Sequence, residues 1–439
     1  MNRMIRLYAA VTLVALFVAG CSGPCSTIEP ITAPRATGGS ASFTSYAALG
    51  TSIGAGYQSG GLVYRHQLQS YPALFAGQVG APFTYPAISD SGIPALLRLV
   101  SLGTSPVIVQ SSVQGVPTNS DLPTPYTNLS IPGAVLNDVV DTTYYSRSAI
   151  ISIIQRGQGS LLQQVARLQP TFVSFEYGAN EVLGPATSGS GTPVLSVAQF
   201  GGLLSFTLDA LQGLLPETKL ALFTVPDVTS IPFGTTIKPY VTLPNGTRVP
   251  LVTAVDDAHP RGGLNPDDYV LLTASSLLAA GTGVPTALGG NGNPLPGAVV
   301  LTAAEAASIQ GAVDGYNVAI RAEATARGAA LVDLHGLLRA AATTGIQVGG
   351  ARYTSAFLTG GLFSLDGVHP TDLGHGLIAN SMIDAVNAEF GASVPHVSLP
   401  AVETHTASLV QPAPAGEGAA RFPRVEGLGD MLKILSPRR

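Results

Sequence analysis

The sequence predicts an α/β protein whose parallel sheet is wound with helices, and three observations carry that expectation. Short apolar runs at Tyr46–Leu49, Thr171–Glu176, Leu220–Thr224 and Ala330–Asp333 have the length and continuity of strands buried on both faces. Amphipathic helical stretches alternate with them, and helix then strand, repeated, is the pattern of a doubly wound sheet. Glycine-bearing loops follow two of the runs, at Gly50-Thr51-Ser52-Ile53-Gly54-Ala55-Gly56 and Tyr177-Gly178-Ala179-Asn180.

Each helix is marked by its cap and its apolar face. Ser160 is placed to cap a helix carrying Leu161, Leu162, Val165 and Leu168, which leads into the strand at Thr171. Ser196 opens another, with Phe200, Leu203, Leu204, Leu208 and Leu211 on one side, before the strand at Leu220. Thr302 with Glu305 forms a capping box ahead of Ile309, Val313, Tyr316 and Ile320, and Ala330–Asp333 follows. A last helix is expected near Thr371 to Phe390, with Leu373, Leu377, Ile378, Met382 and Val386 inward; His375 on it is expected to pack or cap.

Two regions break the rhythm. Residues 100–128 are rich in Ser, Pro, Thr and Val, and residues 235–300 contain Asn245-Gly246, the signal of a tight hairpin turn. Both read as insertions in one domain over residues 44–390, and both are expected to wall or cover the site. The chain has 439 residues, 51 glycines, 33 prolines, no tryptophan and a net charge of −5, with only 11% charged residues. That balance offers no basic surface for nucleic acid.

The chemistry-bearing residues lie at the two ends of this domain. Asp366 and His369 stand three apart in Ser364-Leu365-Asp366-Gly367-Val368-His369-Pro370, a spacing that lets a carboxylate fold back on the inner nitrogen of the imidazole. Ser52 sits where the first strand ends. A serine hydroxyl is a poor nucleophile near neutral pH and needs a histidine to take its proton and a carboxylate to fix that histidine. The Ser52 and Gly133 amides and the Asn180 side chain are candidate donors to the oxygen that becomes negative on attack. Taken singly, each segment also reads as a turn or a helix cap.

In this order, Gly50-Thr51-Ser52-Ile53, Gly133, Asn180 and Asp366-Gly367-Val368-His369 resemble the four blocks of the SGNH or GDSL family of esterases and lipases. The resemblance implies a three-layer α/β/α, flavodoxin-like fold with a central, mostly parallel sheet. It also implies Ser52 as nucleophile, His369 as base, Asp366 as its orienter, an ester substrate, and neither metal nor cofactor. Thr51 and Glu181 stand where the family has aspartates, which leaves open a second reading as a catalytically inactive binding lipoprotein. A third arises because Gly50–Gly54 also fits the G-x-S-x-G elbow of α/β-hydrolases. Asp256, Asp257, His259, Asp267 and Asp268 read either as calcium ligands or as loop caps.

The N-terminus points to export. Arg3 and Arg6 precede an apolar run from Leu7 to Val18, so residues 1–20 read as a signal peptide, and Val18-Ala19-Gly20-Cys21 resembles the bacterial lipoprotein box. Cys21 would then carry lipid, residues 21–43 would be a flexible tether, and the protein would be anchored in the envelope, at the outer membrane. Residues 391–439 read as a low-complexity tail with a docking segment at Met431 to Leu435.

Overall fold

The computed structural model describes residues 36–102, 105–143, 148–406 and 422–435; the expected signal segment and Cys21 lie outside them. Strands Tyr46–Leu49 (β1), Phe172–Phe175 (β2), Lys219–Phe223 (β3) and Ala330–Val332 (β4) form a parallel sheet in that spatial order. The register runs Ala47 to Val173, Ser174 to Ala221 and Leu222 to Leu331. A single parallel bridge, Ala48 with Asn128, places the segment at Asn128, the second in chain order to join this sheet, outside β1. Counting it, the order becomes 2-1-3-4-5, and the crevice at the carboxyl ends of the strands lies where that order reverses.

The α-helices that position the site are α1 (Ser52–Ala55), α2 (Tyr71–Val79), α3 (Leu161–Leu168), α4 (Asn180–Thr187), α5 (Val197–Leu214), α6 (Ala303–Arg327), α7 (Leu334–Thr343), α8 (Asp372–Phe390), α9 (Leu399–Thr406) and α10 (Leu428–Leu435). Alternation along the strands sorts them into layers. Ala47, Leu49, Val173, Phe175, Leu220 and Leu222 pack in one core with residues of α3, α5 and α6. Tyr46, Ala48, Phe172, Ala221 and Phe223 pack in another, with α2 and α8. Successive side chains of a strand point to opposite faces, so an apolar run of this kind must be covered on both sides. The result is three layers, α/β/α.

The caps read from sequence form in space. Ser160 Oγ accepts from the Gln163 amide at 3.1 Å while Gln163 Oε1 accepts from the Ser160 amide at 2.9 Å. Ser196 with Gln199 and Thr302 with Glu305 repeat the reciprocal pattern. Each cap satisfies an otherwise orphaned N–H and contributes about 1 kcal/mol. The hairpin at Asn245-Gly246 joins Tyr240–Thr242 to Arg248–Pro250.

Residues at both ends of the chain pack against the domain. Within the expected tether, Phe43 is buried with its ring edge-on to Phe75 and Phe172, and Ser40 donates to the Phe390 carbonyl. Within the expected tail, Val394, Val397 and Val402 join the core beside α8. Arg424–Val425 pairs with Val107–Ile108, and α10 buries Leu428 and Met431. Apolar residues spaced too irregularly to show a period still bury well when a formed surface awaits them. Among the described residues, no helix is long and apolar enough to cross a membrane.

Candidate active site

Ser52 begins the one-turn helix α1 directly after β1, and His369 and Asp366 come from the loop before α8. The three side chains meet, although 317 positions separate the serine from the histidine. Ser52 Oγ is 2.9 Å from His369 Nε2, and His369 Nδ1 is 2.9 Å from Asp366 Oδ2. All three residues are buried, and His369 packs its ring against Tyr57 with centroids 4.6 Å apart.

The acid is held rigidly. Asp366 Oδ1 accepts from the Val368 and His369 amides, each at 2.9 Å, and from Ser364 Oγ at 3.1 Å, while Oδ2 also accepts from the Gly60 amide at 2.9 Å. Burial alone would push this carboxyl up; His369 and the amides outweigh it and hold Asp366 below the usual carboxylate range. Gly367 makes the fold-back feasible. Its φ of +71° suits a residue without Cβ, and its carbonyl accepts from the Phe233 amide at 2.8 Å.

The loop bearing Gly133 is fastened beside the serine. The Ile131 amide donates to the Gly50 carbonyl at 2.9 Å, and Asn180 Nδ2 donates to the Ala134 carbonyl at 2.7 Å. Asn180 is buried at the start of α4 and lines the serine cleft; its amide has a second N–H beyond the one given to Ala134. The carbonyl of Ile434, from α10, lies against Gly133, so near that a Cβ there would sit 1.9 Å from it.

Two buried glutamates stand behind these loops. Thr51 donates to Glu176 from its amide at 3.0 Å and from its hydroxyl at 2.9 Å, and the Leu136 amide donates to Glu181 Oε1 at 2.7 Å. Burial pushes each carboxyl up to about 7, against the pull of those bonds. His375, buried in α8, is driven down to about 3 by the same desolvation and packs as a neutral ring.

A cleft of about 360 Å³ opens at Ser52 and His369, walled by Ala179, Leu183, Val228 and Ile231. Next to it lies an apolar groove of about 530 Å³ between α7, α8 and the Leu362-Phe363 loop, and Ile53, Pro226, Ile231 and Val368 line both. The lining residues of cleft and groove come from neither 100–128 nor 235–300. The second insertion instead supports the acid loop from behind, where Leu272 lies beside Gly367. Its apolar residues bury against one another and against α6, which leaves few to face the crevice.

Asp256 and Asp268 converge on His259, and no set of three His, Cys, Asp or Glu side chains is gathered for a metal ion among the described residues. Gly60, Ser364 and Glu176 are site-supporting residues that the sequence reading missed. A charge closing the buried run Thr171–Glu176 was the one available signal for Glu176, and Gly60 offered none.

Solved structures similar to this chain include the following. A Parabacteroides merdae protein assigned to the GDSL-like lipases is 13% identical, with a TM-score of 0.36, covering 78% of this chain and 94% of that one. Phospholipase A1 from Streptomyces albidoflavus is 14% identical at a TM-score of 0.33, covering 79% and 100%. The extracellular lipase from Streptomyces rimosus gives 14%, 0.33, 79% and 99%. No curated protein matches the chain. A family model described as GDSL-like lipase/acylhydrolase matches residues 46–382, from the strand before Ser52 to beyond His369. That span exceeds half of the sequence, and the chain belongs to the GDSL-like lipase/acylhydrolase family.

Proposed function

We propose that this protein hydrolyses carboxylic esters through an acyl-serine intermediate, with Ser52 as nucleophile. The observation that supports it is the unbroken line from Asp366 through His369 to Ser52. Asp366 accepts a hydrogen bond from Nδ1–H and fixes the tautomer, so that Nε2 is free to take the serine proton as Oγ attacks the ester carbonyl. The oxyanion then faces the Ser52 and Gly133 amides and the free N–H of Asn180, donors worth about 3 kcal/mol each in barrier. His369 returns its proton to the leaving alcohol, and water repeats the sequence to release the acid. The apolar groove beside the cleft favours esters with a hydrocarbon part.

Fluorophosphonate labelling tests the reading. The native protein is expected to label at Ser52, and Ser52→Ala to lose labelling and roughly 10⁴-fold or more of its ester turnover while keeping its fold. Undiminished turnover by Ser52→Ala refutes the mechanism, and no turnover of short or long acyl esters by the native protein favours the binding lipoprotein instead.

The envelope location is part of the proposal. It rests on the apolar run Leu7–Val18 and the Val18-Ala19-Gly20-Cys21 sequence. Fractionation of producing bacteria is expected to find the native protein with membranes and Cys21→Ala released; equal partition of the two removes the anchor.

A further inference from the structure

We propose that Glu176 and Glu181 are positioning residues that set the two donor-bearing loops of the site, Glu176 by gripping Thr51 beside the nucleophile and Glu181 by gripping Leu136 behind Gly133. The proposal rests on the ester-hydrolase reading and adds to it the device that holds the donors in register.

The geometry is specific. Glu176 follows β2 directly and Glu181 lies in the first turn of α4, so one short stretch of chain from strand to helix reaches both loops. On one side, both polar groups of Thr51 end on the Glu176 carboxylate, which leaves the Ser52 amide next in line with its direction fixed. On the other side, the loop carrying Gly133 is tied at three points: Ile131 to Gly50, Ala134 to Asn180 and Leu136 to Glu181. Glu176 and Glu181 are 2% and 0% exposed. At Glu176 the Thr51 amide reaches Oε2 and the Thr51 hydroxyl reaches both oxygens, and at Glu181 the Leu136 amide reaches Oε1, so a side chain of similar size with no acceptor removes either grip outright.

Buried carboxylates are costly to desolvate, and among the described residues neither of these is paired with a cation. Their bonds go to the backbone of the very loops whose amides must point at one oxygen atom. Thr51 and Glu181 stand at the positions where the chain departs from the family pattern, and each takes part in one of the two grips. Thr51 supplies a donor where an aspartate would supply an acceptor, and Glu176 is the acceptor that fits it.

The test uses the full chain and p-nitrophenyl butyrate. Thr51→Val and Glu176→Leu are each expected to lower kcat by about 10²-fold, the cost of small misplacement at a reacting centre, with KM within about twofold. Thr51→Ser, which keeps the hydroxyl, is expected to stay within about threefold of native kcat. Combining Thr51→Val with Glu176→Leu should cost no more than either alone, because both remove one grip. Glu181→Leu is expected to lower kcat with KM unchanged in the same way. Native kcat in Thr51→Val, or multiplicative losses in the double variant, overturns the proposal; Thr51→Val keeps it testable if the Leu variants do not fold. A native protein without turnover or labelling instead strikes the ester-hydrolase reading itself.

Discussion

Two Asp-x-x-His turns in this molecule share their local geometry and differ in what reaches the far side of the ring. In both, the aspartate accepts from the histidine amide, at 2.7 Å for Asp256 with His259 and 2.9 Å for Asp366 with His369. In both, Nδ1 stands 2.9 Å from a carboxylate oxygen of that same aspartate. The outer nitrogen of His369 meets the hydroxyl of Ser52, whereas that of His259 meets Asp268 at 2.9 Å. A hydroxyl can surrender its proton to a neutral ring nitrogen; a carboxylate demands that the nitrogen keep one.

Under the proposed mechanism the same turn supplies a base in one place, and in the other it forms a clamp between two carboxylates. Asp268 also accepts from the Asn265 and Ala303 amides, so the clamp fastens the second insertion to the start of α6. Around Asp366, by contrast, the extra bonds come from Gly60 and Ser364 and hold the carboxylate itself still. The lesson is that three-residue spacing prepares Nδ1, and the surrounding fold assigns the role through Nε2.

Substitutions at the two aspartates probe that difference most sharply. Asp366→Asn is expected to lower kcat by roughly 10⁴-fold by favouring the wrong tautomer. Asp256→Asn, at a half-exposed carboxylate, is expected to leave ester turnover within roughly twofold. Equal losses in the two variants would show that the turns are not functionally distinct.

A smaller effect separates them in stability. Burial alone would lower the His259 pKa, but Asp268 and Asp256 outweigh it and raise it above the ordinary imidazole value. A raised imidazole stabilises the fold fully below the unfolded value near 6.5 and loses that contribution as pH climbs through the folded value. Asp268→Asn is thus expected to cost about 2 kcal/mol in urea unfolding at pH 5.5, with a smaller gap at pH 9. A gap that widens with pH would contradict a charged clamp at His259.

Much of the frame could be read along the chain. Strands Tyr46–Leu49 and Phe172–Phe175 are continuous apolar runs, and Ser160, Ser196, Thr302 and Thr371 cap the helices that follow them. Such signals act within a few residues, where hydrophobic period and side-chain to backbone bonds are fixed by local sequence. The blocks around Ser52, Gly133, Asn180 and Asp366–His369 were visible for the same reason. The packing of Phe43 and of Val394 to Val402 was not, because burial depends on a surface built elsewhere.

What the sequence determined by itself was which segments are strand or helix and which residue types are available for proton transfer. Tertiary structure alone decided their meeting. The parallel sheet carries Glu176 to Thr51 across 125 positions, Gly60 to Asp366 across 306 and Ser52 to His369 across 317. It also decided that the imidazole of His369 faces a hydroxyl while that of His259 faces a second carboxylate, since no pattern spanning four residues specifies a partner brought in from another part of the chain.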